Sequence, residues 1–239
     1  MPHPTSLSTL PTLLATLALT LSLGRADSPS PQPDPVVWSQ QILRISEFKN
    51  TWRPVRRWIF SPSLSAFSNN PNHHALTRDI VATLNQPLAN TPIKQIRLLP
   101  PNDYRANIKV HFVPLAQFPD IAKSLGMDAP ADNFGLFWIT RNARNQIIRA
   151  TVALATDKLE DKALRHFACE EITQSLGLPN DSKLYRDSIF YAGDFKDGDP
   201  LTLTHRDTQL IDLLYNHLSP GDSPQKTHTA ITNFWRNKN

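Results

Sequence analysis

Proline is the residue that most constrains how this chain can fold. The 239-residue sequence contains 21 prolines but only seven glycines. A proline ring fixes φ at about −65° and leaves no backbone N–H, so proline interrupts helices and central strands and favours turns and extended segments. The composition therefore argues against a helical bundle or a coiled coil, and it predicts many extended segments joined by rigid loops.

Charge and cysteine content exclude several functional classes. Hydrophobic residues make up 40% of the chain and charged residues 19%, which is typical of a soluble globular protein. The formal net charge of +4 is too small a basic excess to indicate a nucleic-acid-binding protein. The single cysteine, Cys169, excludes an intramolecular disulfide, a thiolate zinc finger and an iron–sulfur cluster.

The N-terminal segment has the pattern of a secretory signal peptide. Residues 13–23 form an apolar run that is shorter than the roughly 20 residues needed to span a bilayer. The small residues Gly24 and Ala26 follow it at the positions that a signal peptidase prefers. We therefore expect residues 1–26 to be removed, leaving a secreted or periplasmic protein with no stable membrane insertion.

The rest of the chain divides by composition into three parts. Residues 27–35 (DSPSPQPDP) contain no side chain suited to a core and predict a proline-rich linker. Residues 36–218 show no further linker-like segment and predict a single domain. Residues 219–239 are left as a C-terminal tail with room for a short helix.

Hydrophobic periodicity predicts an α+β fold for this domain. Strands are predicted at 52–60 (an edge strand, because it contains Pro54), 107–113, 134–140 and 147–155, and helices at 72–88, 115–125 and 159–176. Thr204 and Asp207 have the spacing of a capping box, which predicts a further helix beginning there.

Residues 170–181 (EEITQSLGLPND) have the spacing of a metallopeptidase active-site helix. In the pattern H-E-x-x-H, residues four apart lie on one helix face and bind one metal ion, while the Glu reaches the metal-bound water as general base. The longer pattern H-E-x-x-H-x-x-G-x-x-H adds a glycine, at which the chain turns so that a third ligand returns to the metal. The aligned positions are Glu170, Gln174 and either Asn180 or Asp181 as metal ligands, Glu171 as the base and Gly177 as the turn residue.

This segment resembles metzincin-like zincins, and it is more similar to an uncharacterised family of secreted bacterial proteins with E-E-x-x-Q-x-L-G-L-x-N-D in this position. Residues 187–190 (DSIF) resemble the turn beneath the metzincin metal, with Phe190 in place of methionine. Residues 203–215 resemble the metzincin closing helix, which often ends in Leu-Tyr. The resemblance implies a zincin-like domain with a mixed sheet, an active-site-type helix and a C-terminal helix.

The ligand positions depart from the zincin pattern because none of them is a histidine. Zinc favours imidazole and thiolate ligands, whereas carboxylate, amide and carbonyl oxygens suit harder ions such as Ca²⁺ and Mg²⁺. We therefore expect no cofactor, with an unusual divalent metal as the alternative. Structural roles also remain open: Glu170 and Gln174 bonding to each other and to the following loop, His166 pairing with Glu170, and Glu171 in a surface ion pair.

Three functions follow from these observations. The first is an exported, degenerate metzincin-like protein that lacks conventional zinc peptidase activity and binds a peptide or envelope component in the former cleft. The second is an active metal-dependent hydrolase in which Glu171 is the general base and the ligands are not histidines. The third is a structural envelope domain. None of the three involves nucleic acid.

The export hypothesis predicts where the mature chain begins. Cleavage after Ala26 would place Asp27 at the N-terminus of protein purified from its native host. N-terminal sequencing measures this directly. A mature protein that still begins at Met1 would contradict the hypothesis.

Overall fold

A five-stranded sheet organises the fold. The computed structural model describes residues 33–44, 53–128 and 133–238, so the predicted signal peptide and most of the predicted linker lie outside the described residues. Within these ranges, the helices and strands follow in the order α1 (Pro35–Arg44), β1 (Ser63–Phe67), α2 (Pro71–Leu88), β2 (Arg97–Leu98), β3 (Ile108–Val113), α3 (Phe118–Ser124), β4 (Gly135–Arg141), β5 (Ile147–Ala155), α4 (Asp161–Gln174), α5 (His205–Asp212) and α6 (Pro224–Arg236).

The strand order is β2-β1-β3-β5-β4, and β4 is the only antiparallel strand among those described. The main core lies between one face of the sheet and helices α2, α4 and α5, where Val110, Val152 and Ile172 are fully buried. On the opposite face, Phe118 of α3 packs with Ala153. The neighbouring residues 152 and 153 thus lie in different hydrophobic cores, because successive side chains of a strand point to opposite faces. The predicted α+β class with a mixed sheet is confirmed.

Most predicted elements inside the domain are present. The predicted helices 72–88, 115–125 and 159–176 correspond to α2, to a 3-10 turn (Leu115–Gln117) followed by α3, and to α4, while the predicted strands 107–113, 134–140 and 147–155 correspond to β3, β4 and β5. The capping box is also confirmed. The Thr204 side chain accepts a hydrogen bond from the Asp207 N–H, and the Asp207 carboxylate accepts one from the Thr204 N–H.

The predicted strand at 52–60 is wrong over its described part. From residue 53 onward the segment makes one isolated bridge, between Arg57 and Gln146. Val55 and Trp58 are buried without strand pairing, and the indole N–H of Trp58 donates to the Ser175 carbonyl at 3.1 Å, whereas Ile59 and Phe60 are exposed. Because Pro54 has no N–H, a regular ladder is also disfavoured.

Strand β1 was not predicted because two of its five residues are serines. All five are nevertheless buried. The Ser63 hydroxyl donates to Asn107 Oδ1 at 3.0 Å and the Ser65 hydroxyl donates to the Pro100 carbonyl at 2.8 Å. Since each buried hydroxyl has a partner, the strand occupies the sheet interior without the apolar alternation on which strand prediction depends.

Helix α1 begins at the predicted start of the domain, and α6 lies in the C-terminal segment 219–239, where the sequence leaves room for a short helix. They pack together, and the indole N–H of Trp235 in α6 donates to the Ser39 hydroxyl in α1 at 2.8 Å. The segment expected to be a C-terminal tail therefore contributes to the core. Both helices begin with a proline, Pro35 and Pro224, at a position where the missing N–H would have no partner in the helix. Some of the proline excess thus starts helices instead of extended segments.

Candidate functional site

The C-terminal end of α4 is buried, and aromatic side chains bond to the carbonyls of the two residues that follow it. The indole of Trp58 donates to the carbonyl of Ser175, and the Tyr215 hydroxyl donates to that of Leu176 at 2.8 Å. Burial raises the pKa of Tyr215, so this hydroxyl stays a donor. A buried helix end without such partners would be unfavourable. These two bonds hold the end of α4 at a defined position.

The chain reverses direction at Gly177, as predicted. Its φ of +118° is a conformation that residues with a side chain rarely adopt. A Cβ atom at this position would also lie 2.1 Å from the carbonyl oxygen of Arg56. The glycine therefore permits both the turn after α4 and the close approach of the segment around Arg56.

A cleft of about 330 Å³ lies between α4 and the edge strand β4. Five consecutive residues of β4, 135–139, line one wall, and Glu171 and Gln174 of α4 line the other. Residues 179–181, from the loop after α4, also line the cleft. Arg53 and Arg56 also border the cleft. Burial, with smaller effects of neighbouring arginines, lowers the pKa of Arg56 from its ordinary value.

Glu171 lies directly against the edge strand. A Cβ atom built on Gly135 would be 2.6 Å from Glu171 Oε1. Gly135 thus leaves the space that the carboxyl group occupies, and a larger residue there would displace it. Glu171 is 6% exposed, which contradicts the alternative of a surface ion pair: the residue is a buried part of the cleft wall.

Glu170 is not among the residues that line the cleft in the described part of the chain. Its Oε2 lies 3.8 Å from Nε2 of His166, one helical turn earlier, as the alternative hypothesis for these two residues predicts. The other ring nitrogen, Nδ1, donates to the carbonyl of Pro200 at 2.6 Å. Burial lowers the pKa of His166, and the Pro200 bond partly offsets this effect.

The remaining predicted ligands are engaged in contacts that connect loops to helices. Gln174 Nε2 donates to Asp181 Oδ1 at 2.6 Å. Asn180 Nδ2 donates to two carbonyls in the last turn of α1, those of Gln41 at 3.0 Å and Ile42 at 2.9 Å. Asn180 thereby satisfies carbonyls that the helix leaves without partners.

These donors do not fit a conventional zinc site. Among the described residues, no three His, Cys, Asp or Glu side chains lie close enough together to bind a metal ion. Glu170 lies 3.8 Å from His166 and does not line the cleft in the described ranges, whereas Gln174, Asn180 and Asp181 do, so the aligned ligand positions do not all line one site. Glu171, Gln174, Asn180 and Asp181 all border the cleft, and the amide N–H groups of Gln174 and Asn180 donate to Asp181 and to α1.

Asp207 connects the turn at 187–190 to helix α5. Its buried carboxylate accepts hydrogen bonds from the Ser188 hydroxyl at 2.7 Å and the Ile189 N–H at 3.1 Å. It also accepts from the N–H and the hydroxyl of Thr204, both at 2.9 Å. Burial raises the pKa of Asp207, while these four bonds act in the opposite direction. Phe190 is thereby held in the core, fully buried.

Residues 41–233 match the model of a family described as a protein of unknown function (DUF2927). The chain belongs to the DUF2927 family. The matched segment begins in α1 and ends in α6, so it includes the whole sheet and the cleft. None of the curated proteins compared with the chain matches it. In the described ranges of this DUF2927 protein, no helix is both long and apolar enough to cross a membrane.

Sequence reasoning missed the strand side of the cleft. It did not identify Gly135, Arg53 or Arg56, because no spacing rule connects them with α4. A signal for Gly135 was present: the chain has only seven glycines, and this one begins an apolar strand without a turn to explain it.

The close approach of Gly177 to the Arg56 carbonyl predicts that a larger residue at position 177 lowers the stability of the protein. Gly177→Ala is expected to lower the free energy of unfolding by at least about 1 kcal/mol, because of backbone strain and because Cβ would meet the Arg56 carbonyl. Gly198→Ala is the matched control, since Gly198 has φ +103° but no atom within 4 Å of the added Cβ. Urea denaturation of the three proteins measures the difference. Equal stability of the Gly177 variant and the wild type would contradict this account of the turn.

Proposed function

We propose that this protein is an exported, degenerate metzincin-like domain that binds an extended peptide in the cleft between β4 and α4. The binding mode is strand addition, in which a peptide pairs with the open edge of a sheet. The proposal includes no conventional zinc peptidase activity.

The observation that carries the proposal is that consecutive residues of β4 line the cleft. If one face of the strand formed the wall, only alternate residues would line it. All of residues 135–139 do so, which means that the strand presents its edge. In the described part of the sheet, β4 is the terminal strand, with β5 on its other side.

The pairing with β5 identifies the backbone groups available to a peptide. The Ala155 N–H donates to the Phe134 carbonyl, and in an antiparallel pair such bonded positions alternate along the strand. The backbone groups of residues 134, 136 and 138 therefore point toward β5. Those of Gly135, Phe137 and Ile139 point toward the open edge, where a peptide would find both donors and acceptors.

The opposite wall supplies side chains for orientation. Glu171 and Gln174 face the edge strand across the cleft, and Arg53 and Arg56 border it. Small-molecule and peptide sites generally combine an apolar wall with a few polar groups at defined positions. Phe137 and Ile139 are partly buried apolar side chains on the same side of the strand as α4, so the cleft has both features.

The order of elements supports the metzincin-like part of the proposal. An antiparallel edge strand precedes a buried helix, and the helix ends at a glycine turn. A buried turn at 187–190 and a capped closing helix follow in the order that the resemblance implies. Asp207 contacts both of the last two elements.

Strand addition predicts that two substitutions of Phe137 affect peptide binding differently. Phe137→Pro removes an N–H that faces the open edge and leaves the bonds of residues 136 and 138 to β5 in place. Phe137→Ala, the matched control, shortens the side chain but keeps the N–H. We expect linear peptides selected on the wild type from a random display library to bind the proline variant at least about tenfold more weakly than the alanine variant.

Fluorescence polarisation with the selected peptides measures this difference, and thermal melting establishes that both variants are folded. A folded proline variant that binds as tightly as the alanine variant would contradict strand addition. Failure to select any peptide on the wild type would contradict the proposed function itself.

The residue types at the aligned ligand positions also predict the metal content of the protein. Protein purified in its mature form and dialysed is expected to contain well below one zinc ion per chain, because no imidazole stands at the aligned ligand positions. Mass-spectrometric metal analysis measures the content. One zinc per chain, lost in Glu170→Gln or Gln174→Ala, would favour the alternative of an active hydrolase. In that alternative Glu171→Gln would reduce hydrolysis by about 100-fold or more, since Glu171 is the general base.

A further inference from the structure

A second recess, which we call the outer groove, lies on the face of the sheet that bears α3. Its volume is about 460 Å³, within the range of roughly 300–1,000 Å³ typical of small-molecule sites. Strands β3, β5 and β4 form its floor, and the loop that precedes β3 forms one wall. The residues that line it include Tyr104, Arg105, Lys109, Trp138, Thr140, Arg149 and Thr151.

Strand register fixes the floor of the outer groove. Lys109, Thr151 and Trp138 are partners across β3, β5 and β4 and form one row. Thr140 and Arg149 are partners in the next row on the same face. Because the rows belong to paired strands, these cationic, hydroxyl and aromatic groups are held at fixed spacings.

The outer groove is cationic. Arg105 is paired with Asp103, through bonds of 3.0 and 2.7 Å to its two carboxylate oxygens. Lys109 and Arg149 have no ion pair within the described ranges, and no Asp or Glu from those ranges lines the groove. Two cations without carboxylate partners give a local potential that favours an anion.

An exposed aromatic ring stands at the wall of the outer groove. Tyr104 is 76% exposed, far more than any other large hydrophobic side chain in the described ranges. Its ring makes an edge contact with Phe67 at 5.0 Å between centroids, and Lys109 Nζ lies 5.5 Å from its centroid. The ring is thus held in place while most of its surface remains available to a ligand.

We propose that the outer groove binds an anionic saccharide. The C–H face of a sugar ring packs on Tyr104, because the electron-rich face of an aromatic ring attracts polarised C–H groups. The carboxylate or phosphate of the sugar pairs with Lys109 and Arg149. The hydroxyls of Thr140 and Thr151 bond to sugar hydroxyls. The outer groove adjoins the cleft, since Met127 and Trp138 line both, but saccharide binding uses different groups and does not depend on peptide binding.

Two other occupants fit the outer groove less well. A peptide cannot bind here by strand addition, because β3 and β5 are flanked by strands on both sides and their backbone groups are paired. Single-stranded nucleic acid is bound through a succession of exposed rings, whereas the groove has one exposed ring and one buried indole, Trp138.

The test is titration calorimetry of the mature protein with four probes. They are an oligogalacturonate, its methyl ester, a phosphorylated oligomannose and a single-stranded oligodeoxynucleotide. The ester keeps the sugar but removes its charge, and the phosphorylated probe distinguishes phosphate from carboxylate recognition. Arg149→Gln and Tyr104→Ala remove groove side chains, while Arg236→Gln removes one charge at an exposed position at the end of α6.

We expect at least one anionic saccharide to bind, with the methyl ester binding at least tenfold more weakly than the oligogalacturonate if the carboxylate is recognised. Arg149→Gln and Tyr104→Ala should each weaken binding about tenfold, and Arg236→Gln should have no effect. The proposal is overturned if neither anionic saccharide binds, if Arg149→Gln and Arg236→Gln behave alike, or if the oligonucleotide binds more tightly than both saccharides.

Discussion

The buried C-terminal end of α4 is the constraint on which the rest of the site depends. A helix end carries carbonyls without partners in the helix, and this one also buries Glu170, Glu171 and Gln174. Trp58 and Tyr215, from two distant parts of the chain, bond to the carbonyls of Ser175 and Leu176, directly after this end. Since burial without partners would be unfavourable by several kcal/mol, these contacts determine how the flanking segments pack.

The same constraint shapes the cleft. Gly177 lets the chain turn away from α4, and the following loop returns with Asp181 against Gln174 and with Asn180 against α1. Gly135 admits the carboxyl group of Glu171 beside the edge strand. The amides of Gln174 and Asn180 connect loop to helix, and the cleft has an open strand edge with polar groups opposite.

The elements that the sequence predicted correctly are those that depend on residues close together in the chain. The α2 stripe, the β4–β5 hairpin, the α4 helix with its glycine turn and the capping box at Thr204 each depend on residues close in sequence. Strand β1 could not be predicted in this way, because the hydrogen-bond partners of Ser63 and Ser65 lie more than 30 residues away in the sequence. For the candidate site, spacing located Glu171 and Gln174. It could not identify Gly135, because that contact is formed only when the sheet and the helix pack together.

Hydrogen exchange at single residues of β4 tests the central claim most directly. In the free protein, the amides of Gly135, Phe137 and Ile139 should exchange quickly, while those of Leu136 and Trp138, bonded to β5, should exchange slowly. Addition of a selected peptide should slow exchange at the first three and leave the other two unchanged. This alternating protection is the result that strand addition predicts. Protection confined to α4 or to the outer groove, with β4 unchanged, would contradict it.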